Sequence, residues 1–336
     1  MHKNILILGG GYGGTMAAAR IAKRGIPVTL VDARRAFVER IRLHQVAAGD
    51  DIEPVPYARI FRDLPVSFVQ ARVTRIDRAE KRVLTTAGAL PYDELVYALG
   101  SEGAGMNPAA IRERLQSAKK LTIVGGGLTG IELASEIAER HPHVGVTLVD
   151  RGTIGHGLSS RALRHLHDWL AAHGVEVIEH REVTNDPDAI FCTSFTLSPI
   201  AREAGLHVNG RGQIIVDDRL RSSDPSIYAI GDAAECRDYR MSCALALPMG
   251  AYVADLLAGA TREPFRFGFF IQCISLGRND GIIQFVNPDD TPRERAITGR
   301  PAAWIKELVC RYAAMSLRLE TRGVHYHWPK PEEAAA

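Results

Sequence analysis

The chain opens with Lys3-Asn4-Ile5-Leu6-Ile7-Leu8-Gly9-Gly10-Gly11-Tyr12-Gly13-Gly14, and this stretch decides the fold. Four consecutive apolar residues followed at once by glycines predict a buried parallel strand that turns directly into a helix. Gly9, Gly11 and Gly14 match the G-x-G-x-x-G pattern, whose glycines allow a tight turn, the close approach of a pyrophosphate, and packing of the helix on the strand. The pyrophosphate would lie at the positive end of that helix.

An acidic residue completes this first unit. The apolar stretch Val28-Thr29-Leu30-Val31 predicts the next strand, and Asp32 ends it 18 residues beyond Gly14 (32 − 14 = 18). At that place a carboxylate can accept hydrogen bonds from a pair of ribose hydroxyls. Because strand, glycines, helix, second strand and acid follow one another in the required order, the sequence predicts a dinucleotide site.

The same unit occurs again 116 residues later (125 − 9 = 116). A strand at 121–124 leads to Gly125, Gly127 and Gly130, and a further strand at 146–149 ends in Asp150. One dinucleotide needs one such unit, so two units in a single chain predict two nucleotides. The simplest pair is a flavin, as FAD, and a nicotinamide coenzyme.

A third motif gives the chain a family resemblance. An apolar strand leads to Ile230-Gly231-Asp232, and a helix is predicted at 245–257. Together with the two glycine units, this motif resembles the two-dinucleotide flavoproteins of the pyridine nucleotide-disulfide oxidoreductase superfamily. Within that superfamily the chain most resembles type II NADH dehydrogenases and apoptosis-inducing-factor-like oxidoreductases, and the stretch 92–101 resembles their crossover between the two domains.

The resemblance implies an α/β fold with two Rossmann-like dinucleotide-binding domains and a C-terminal extension of β-strands and a helix. The FAD-binding domain would be discontinuous, at 1–106 and 201–264. The NAD(P)H-binding domain would be inserted at 107–200, and the extension would occupy 265–336. The inserted domain would be shortened, because 175–195 leaves no room for the longer β-meander that relatives usually have there.

The resemblance also implies binding residues for both nucleotides. For FAD they are Gly9, Gly11, Tyr12, Gly13, Gly14, Asp32, Ala33, Arg34, Arg42, Val73, Ala98, Leu99, Gly100, Gly231, Asp232, Leu247 and Pro248. For the nicotinamide coenzyme they are Gly125, Gly127, Leu128, Thr129, Gly130, Glu132, Asp150 and Ser194. Asp150 would repel a 2′-phosphate, which favours NADH, while the neighbouring Arg151 leaves NADPH open. No metal site is expected.

Two candidate site residues, Glu132 and His44, carry alternatives, and a helix start adds a further expectation. Glu132 would lie beside the nicotinamide, although an acid near a helix N-terminus is also favoured by the helix dipole alone. His44 is the catalytic candidate, as a proton donor whose unperturbed pKa lies near neutrality, and a local packing role is equally open. The helix that starts near 241–250 would place backbone N–H groups against the reduced flavin. Quinone-reducing relatives carry glutamines near that place, which this chain lacks.

Composition sets the remaining bounds. A hydrophobic content of 46%, a charged content of 24% and a net charge of +2 are ordinary for a soluble protein and give no basic stripe for nucleic acid. The sequence contains no run of about 18 apolar residues, so we expect no transmembrane helix. The predicted first strand lies where a signal peptide would be, so we expect no signal peptide. We therefore expect a cytoplasmic enzyme, with peripheral contact on the inner face of a membrane as an alternative.

The five cysteines are Cys192, Cys236, Cys243, Cys273 and Cys310, and they form no C-x-x-C or C-x-x-x-x-C pair. Disulfide-reducing members of the superfamily carry such a pair in the first domain, where this chain has no cysteine. The sequence therefore argues against a redox disulfide and against sulfide oxidation, and it favours ordinary core or surface thiols.

The segment 301–319 predicts an amphipathic helix with Trp304, Ile305, Leu308, Val309, Tyr312 and Met315 on one side. Such an apolar stripe with basic flanks could lie on a membrane. Packing of the stripe on the sheet or on a second subunit, as in a homodimer, is the more common outcome.

The leading hypothesis is an FAD-dependent NAD(P)H oxidoreductase that passes hydride from the nicotinamide to flavin N5 and then electrons to a quinone or quinone-like small acceptor. One alternative is the reduction of a small redox protein, as in ferredoxin and rubredoxin reductases. The other is a flavin-bound partner-binding module whose nicotinamide site has decayed.

Overall fold

The computed structural model describes residues 3–103, 105–193, 195–237, 239–328 and 330–331. The strands of these residues are β1 (Ile5–Leu8), β2 (Val28–Asp32), β3 (Ala36–Phe37), β4 (Val55–Pro56), β5 (Val66–Gln70), β6 (Val73–Asp77), β7 (Arg82–Thr85), β8 (Gly88–Pro91), β9 (Glu94–Tyr97), β10 (Ser101–Gly103), β11 (Lys120–Val124), β12 (Gly145–Val149), β13 (Glu176–Ile178), β14 (Ala189–Phe191), β15 (Phe195–Leu197), β16 (Ile214–Ile215), β17 (Ile227–Ala229), β18 (Ala234–Glu235), β19 (Ile271–Leu276), β20 (Asp280–Val286) and β21 (Pro292–Thr298).

The helices are α1 (Tyr12–Lys23), α2 (Leu43–Ala48), α3 (Tyr57–Ile60), α4 (Pro108–Leu115), α5 (Leu128–Arg140), α6 (Ser160–Ala172), α7 (Ile200–Glu203), α8 (Cys243–Leu257) and α9 (Arg300–Thr321). Short 3₁₀ turns occur at Arg40–Arg42 and Gly231–Ala233. In the described part of the chain, no helix combines the length and the apolar character that crossing a membrane requires.

The first glycine unit forms the centre of a five-stranded parallel sheet with the order β17-β9-β1-β2-β5. All four residues of β1 are buried, because helices cover both faces of such a sheet. Helix α1 packs closely on α8 through glycine, since a Cβ atom at Gly250 would lie 2.2 Å from the Gly13 carbonyl oxygen. The sheet thus combines strands from the first hundred residues with β17, which comes much later in the chain.

The second unit forms a separate four-stranded parallel sheet with the order β13-β12-β11-β14. Its core is distinct from the core of the first sheet. No strand occurs between Ile178 and Ala189, so the chain passes directly from β13, at one edge of the sheet, to β14, at the other edge. The two-stranded ribbon of β10 and β15 joins the two sheets, with Ser101 opposite Leu197. This architecture confirms the predicted fold class.

The C-terminal extension contains one strand more than the sequence predicts. Strands β19 and β20 form the expected hairpin, and β21 pairs with β20 on its other side. Strand β21 could not be recognised in the sequence because its first four residues, from Pro292 to Arg295, are exposed and three of them are charged. Such residues do not show the alternation that marks a half-buried strand.

Helix α9 packs with the face opposite to the predicted one. Its buried row consists of small and aliphatic residues, with Ala302, Cys310, Ala313 and Leu317 against α1, β19 and β20. The apolar stripe points outward instead, and Trp304 is 66% exposed and Tyr312 49% exposed. The expectation that the stripe packs on the sheet is therefore wrong, because the close approach of α9 to the sheet selects small side chains.

Candidate active site

The loop between β1 and α1 has a reason for glycine at each of the three predicted positions. Gly9 has φ +98°, and a Cβ atom there would lie 2.3 Å from the Ala98 carbonyl oxygen. A Cβ atom at Gly14 would lie 1.9 Å from the Gly9 carbonyl oxygen. At Gly11, by contrast, a Cβ atom would meet no protein atom within 4 Å. Glycine is needed for packing at the first two positions, whereas Gly11 faces open space that a diphosphate can enter.

The loop between β11 and α5 repeats this arrangement. Gly125 has φ +120°, and a Cβ atom there would lie 2.8 Å from the Cys192 carbonyl group. A Cβ atom at Gly130 would lie 1.9 Å from the Gly125 carbonyl oxygen, while one at Gly127 would meet nothing within 4 Å. Neither α1 nor α5 has a side-chain N-cap, so their first N–H groups are free to bind phosphate.

The two predicted ribose-binding acids are also placed alike. Asp32 Oδ2 accepts a hydrogen bond from the Gly10 N–H at 2.7 Å, and Asp150 Oδ2 accepts one from the Gly126 N–H at 2.5 Å. The second oxygen of each acid accepts from a backbone N–H two residues further on, at Arg34 and Gly152. Each carboxylate oxygen can accept a further bond, so both acids remain able to bind ribose hydroxyls.

A cavity of about 380 Å³ extends from the first loop to the start of α5, directly after the second loop. Its wall combines the starts of α1, α5 and α8 with α2, β19 and α9. The predicted residues on this wall are Gly11, Tyr12, Gly13, Gly14, His44, Ala98, Gly100, Leu128, Thr129, Glu132, Gly231 and Asp232. The predicted residues away from the wall are Gly9, Asp32, Ala33, Arg34, Arg42, Val73, Leu99, Leu247, Pro248, Gly125, Gly127, Gly130 and Asp150. Ser194 lies outside the described residues.

Arg42 does not face this cavity, which corrects the prediction that its side chain binds FAD. Its guanidinium forms two hydrogen bonds to Glu307, at 2.8 and 3.0 Å, and a third to Gln45. Arg40, which was not among the predicted residues, lines the cavity instead. Arg40 and Arg42 are the first and last residues of a three-residue 3₁₀ turn, so their side chains point in different directions.

The start of α8 lies on the cavity wall a few residues before the predicted positions. Leu247 and Pro248 are buried in the helix, whereas Ser242 to Ala244 and Ala246 form the cavity wall. Ser242 caps the helix, with its hydroxyl oxygen 3.3 Å from the Leu245 N–H. The N–H groups at this helix start can stabilise negative charge in the cavity, as predicted for residues slightly further along.

Asp232 belongs to a group of hydrogen-bonded polar residues with Ser101 and Arg40. Its Oδ2 accepts a hydrogen bond from the Ser101 hydroxyl at 2.6 Å. The Ser101 carbonyl oxygen in turn accepts a hydrogen bond from the Arg40 guanidinium. Burial lowers the pKa of Arg40 and nearby Asp232 opposes this effect, so a cation and an anion face the cavity together. Such a pair can bind the hydroxyls and phosphates of a dinucleotide.

Glu132 lines the cavity and is paired with a lysine of α9 that was not among the predicted site residues. Lys306 Nζ lies 2.8 Å from Glu132 Oε1, and the same oxygen accepts from the Ser275 N–H at 3.1 Å. Burial favours the neutral acid, but Lys306 and His44 together lower the pKa of Glu132. In the same way, Glu132 outweighs burial and raises the pKa of Lys306. The pair therefore stays ionised in the cavity wall.

The sequence contains a weak signal for Lys306. It lies four residues after Ala302 and four before Cys310, both of which are buried. A lysine in the buried row of a helix requires a partner, since an unpaired buried charge is costly. The amphipathic pattern hid this signal because the stronger apolar stripe indicated the wrong packing face.

His44 differs from the prediction in its ionisation. Its ring is buried, with Nε2 at 3.1 Å from the Ser275 hydroxyl and Nδ1 at 3.5 Å from Glu132 Oε2. Burial lowers the pKa of His44 to about 4, and Lys306 and Arg278 add to this effect although Glu132 opposes it. This value lies below the unperturbed histidine pKa, so the ring is neutral at pH 7.

Three of the five cysteines, Cys243, Cys273 and Cys310, line the cavity, which differs from the expectation of ordinary core or surface positions. All five are free thiols. Burial raises the pKa of Cys243 to about 12 and that of Cys273 to about 11. Since the thiolate is the reactive form, these groups remain protonated and give the wall a weakly polar surface.

The residues present fit a flavin dinucleotide. The cradle at Gly11 has the open space that a diphosphate needs, and α1 supplies free N–H groups. The buried Tyr12 hydroxyl, on the cavity wall, has no hydrogen-bond partner among the described residues. A bound ligand could supply the missing partner for this hydroxyl, because buried polar groups are rarely left unpaired.

Comparison with known proteins agrees with this fold. The family model described as pyridine nucleotide-disulphide oxidoreductase matches residues 3–190 and 189–254. A type II NADH:quinone oxidoreductase of Staphylococcus haemolyticus is 27% identical, and the match covers 92% of this chain and 94% of that protein. Human ferroptosis suppressor protein 1 is 25% identical, with 84% and 88% covered. The solved structure of NDH2 from Plasmodium falciparum in complex with NADH matches with a TM-score of 0.78 and 12% identity over 98% of this chain and 100% of that one.

Proposed function

Because the chain belongs to the pyridine nucleotide-disulphide oxidoreductase family, we propose that it is an FAD-dependent NADH oxidoreductase that reduces a quinone or quinone-like small molecule. The observation that carries this proposal is the pair of glycine loops with the same geometry, whose helices α1 and α5 both begin at the wall of one cavity. FAD bound there would accept a hydride from NADH and pass the electrons on.

The chain's own residues would hold the nucleotides in place. The first loop and the start of α1 would bind the FAD diphosphate, and Arg40 and Asp232 would bind its phosphate and hydroxyl groups. The second loop and the start of α5 would bind the NADH diphosphate in the same way. Asp150, which directly follows β12, favours NADH over NADPH because its carboxylate carries a negative charge where a 2′-phosphate would lie.

The quinone-type acceptor is proposed from the relative's name and from the surface around the cavity. Val309 lines the cavity and also belongs to the exposed apolar stripe of α9 with Trp304, Leu308, Tyr312 and Met315. The stripe therefore continues from the outer surface to the cavity wall. An apolar acceptor could reach the cavity along this surface, and the same stripe could lie on a membrane in which such acceptors dissolve.

The test begins with the purified, flavin-loaded protein mixed with NADH in the absence of oxygen. We expect the yellow colour to disappear within seconds. A lasting oxidised spectrum would refute the oxidoreductase proposal and favour a flavin-bound partner-binding module. If the flavin is reduced, menadione and a ferredoxin are compared as oxidants. Faster reoxidation by menadione supports the quinone-type acceptor, whereas faster reoxidation by the ferredoxin would overturn it.

The coenzyme preference has its own test. Asp150→Ala should narrow the preference for NADH over NADPH in the rate of flavin reduction, because it removes the charge that opposes a 2′-phosphate. Thr147→Ala on the same strand is a control, since Thr147 bonds Glu176 away from the loop. An unchanged ratio in the Asp150 variant would remove Asp150 from this role.

A further inference from the structure

Helix α5 carries two buried carboxyl groups one turn apart, Glu132 and Glu136, and the His44 ring lies beside both. Glu132 lines the cavity, whereas Glu136 does not. We propose that Glu136 stores the proton that reduction of the acceptor consumes and delivers it to the cavity through His44 and Glu132. The inference rests on the proposed function, because it concerns the second half of that reaction.

The distances define the order of the three groups. His44 Nδ1 lies 3.5 Å from Glu132 Oε2, and His44 Nε2 lies 4.0 Å from Glu136 Oε1. The two nitrogens of one imidazole therefore face two different acids. The Ser275 hydroxyl adds a second link, since it is 3.1 Å from His44 Nε2 and 3.2 Å from Glu132 Oε1. A neutral imidazole can take a proton at one nitrogen while it releases one from the other.

Glu136 is distinguished by a carboxyl group that is buried without hydrogen bonds. Its side chain is 1% exposed, and neither carboxyl oxygen has a hydrogen-bond partner among the described residues. A buried carboxylate without hydrogen bonds is costly, whereas the protonated acid is tolerated. Burial accordingly raises the pKa of Glu136 to about 7, so the group holds a proton that it can release near neutral pH.

Charged groups on several neighbouring elements act on the pKa of Glu136. On its own helix, Glu132 and Glu139 favour the protonated form, and Asp50 after α2 has the same effect. Arg278, in the turn between β19 and β20, opposes them from 3.9 Å. His44 of α2 is neutral, and Lys306 of α9 is paired with Glu132.

Arg278 lies between Glu136 and the solvent. Its guanidinium is 44% exposed and lies 3.1 Å from Asp50 Oδ2. Both residues line a second cavity of about 570 Å³, which does not share the residues of the first one. A proton lost from Glu136 can therefore be replaced from this outer cavity, without passing through the site that the nucleotides occupy.

The reaction balances with one proton from the store. Reduction of a quinone to a hydroquinone takes two electrons and two protons. NADH supplies both electrons and one proton together as hydride, and NAD⁺ is released. The second proton passes from the Glu136 carboxyl group to His44, from His44 to Glu132, and then to the acceptor. Glu136 is left ionised until a solvent proton restores it.

The first test needs no turnover. Infrared spectra of the oxidised protein are recorded across neutral pH to follow the carbonyl band of a protonated carboxyl group. We expect a band that titrates near pH 7, is absent in Glu136→Gln and is present in Glu139→Gln. His44→Gln should keep the band, because it interrupts proton transfer but leaves the protonated Glu136 in place. A band that persists unchanged in Glu136→Gln would overturn the proposal.

The second test compares the two half-reactions as a function of pH. In Glu136→Gln, reoxidation of the reduced protein by menadione should slow about 100-fold more than reduction by NADH, and its dependence on pH near 7 should be lost. His44→Gln should show the same selective slowing, and Glu139→Gln should not. Equal effects on both half-reactions, or an unaltered pH profile, would refute the relay. Failure of the wild-type protein to react with NADH would refute the proposed function instead, and the infrared test would still decide whether Glu136 holds a proton.

Discussion

The buried pair of Lys306 and Glu132 permits a quantitative prediction. At 2.8 Å and an effective dielectric constant of about 20, the attraction between two unit charges is about 6 kcal/mol, which desolvation largely offsets. Replacing Lys306 by Met removes the attraction but leaves Glu132 buried, with a side chain only 11% exposed. We expect Lys306→Met to lower the free energy of unfolding by about 3–5 kcal/mol at pH 8.

The dependence of this loss on pH has a definite sign. In the wild type the pKa of Glu132 is lowered, so the pair stabilises the fold above the ordinary glutamate pKa of 4.5 and this stabilisation is lost as the pH falls. In Lys306→Met the pKa of the unpaired Glu132 should rise above 4.5, because burial then acts without Lys306. The variant therefore regains stability as the pH falls, and its difference from the wild type should shrink below pH 5.

The assay is urea unfolding followed by tryptophan fluorescence, at pH 8 and again below pH 5. The double variant Glu132→Gln with Lys306→Met should lose much less stability than Lys306→Met alone, since no buried charge remains. Arg311→Met is the matched control on the same helix. It breaks an exposed pair with Glu307 at 2.7 Å and should cost less than about 1 kcal/mol. A loss below 1 kcal/mol in Lys306→Met, or an equal loss in the double variant, would refute this reasoning.

Four further predictions concern the loops, α5, α8 and α9. Gly11→Ala should fold but fail to retain flavin, as measured by absorbance, whereas Gly127→Ala should retain flavin and lose reduction by NADH, because each new Cβ atom would meet only ligand. Glu136→Gln should be more stable than the wild type at pH 8, by up to about 3 kcal/mol in urea unfolding. The raised pKa of Glu136 means that the wild type loses stability as the pH rises from 4.5 to about 7, and equal slopes in both proteins would contradict this. Ser242→Ala should lower the free energy of unfolding by about 1 kcal/mol through loss of the α8 cap, and a change near zero would show that the cap contributes nothing. Trp304→Glu combined with Leu308→Glu should reduce sedimentation with liposomes while flavin content stays normal, and unchanged binding would dismiss the membrane contact.

The glycine loops could be predicted from the sequence because their chemistry is local. The close approach at Gly14 and the acid at Asp32 each depend on residues within one β-α-β unit. The repeat of this unit then predicted the second sheet and the second loop. Spacing along the chain was sufficient in both cases, since the glycines and the acid of each unit follow one another at short, fixed intervals.

The rest of the site depends on contacts between distant parts of the chain. Lys306 meets Glu132 across 174 positions (306 − 132 = 174), and Arg42 meets Glu307 across 265. No local pattern records which carboxylate a buried cation will reach. The outward direction of the α9 stripe was missed for a related reason, because the side that packs is chosen by how closely the sheet approaches the helix.

The position of α9 has a consequence for the order in which the molecule matures during synthesis. This helix supplies Lys306, Val309 and Cys310 to the cavity wall, and the buried pair of Arg20 and Glu320, at 2.9 Å, ties it to α1. A ribosome releases α1 and both glycine loops long before it releases α9. The growing polypeptide can therefore assemble its nucleotide cradles early, but it can close the chamber between them only after residue 320 has left the exit tunnel.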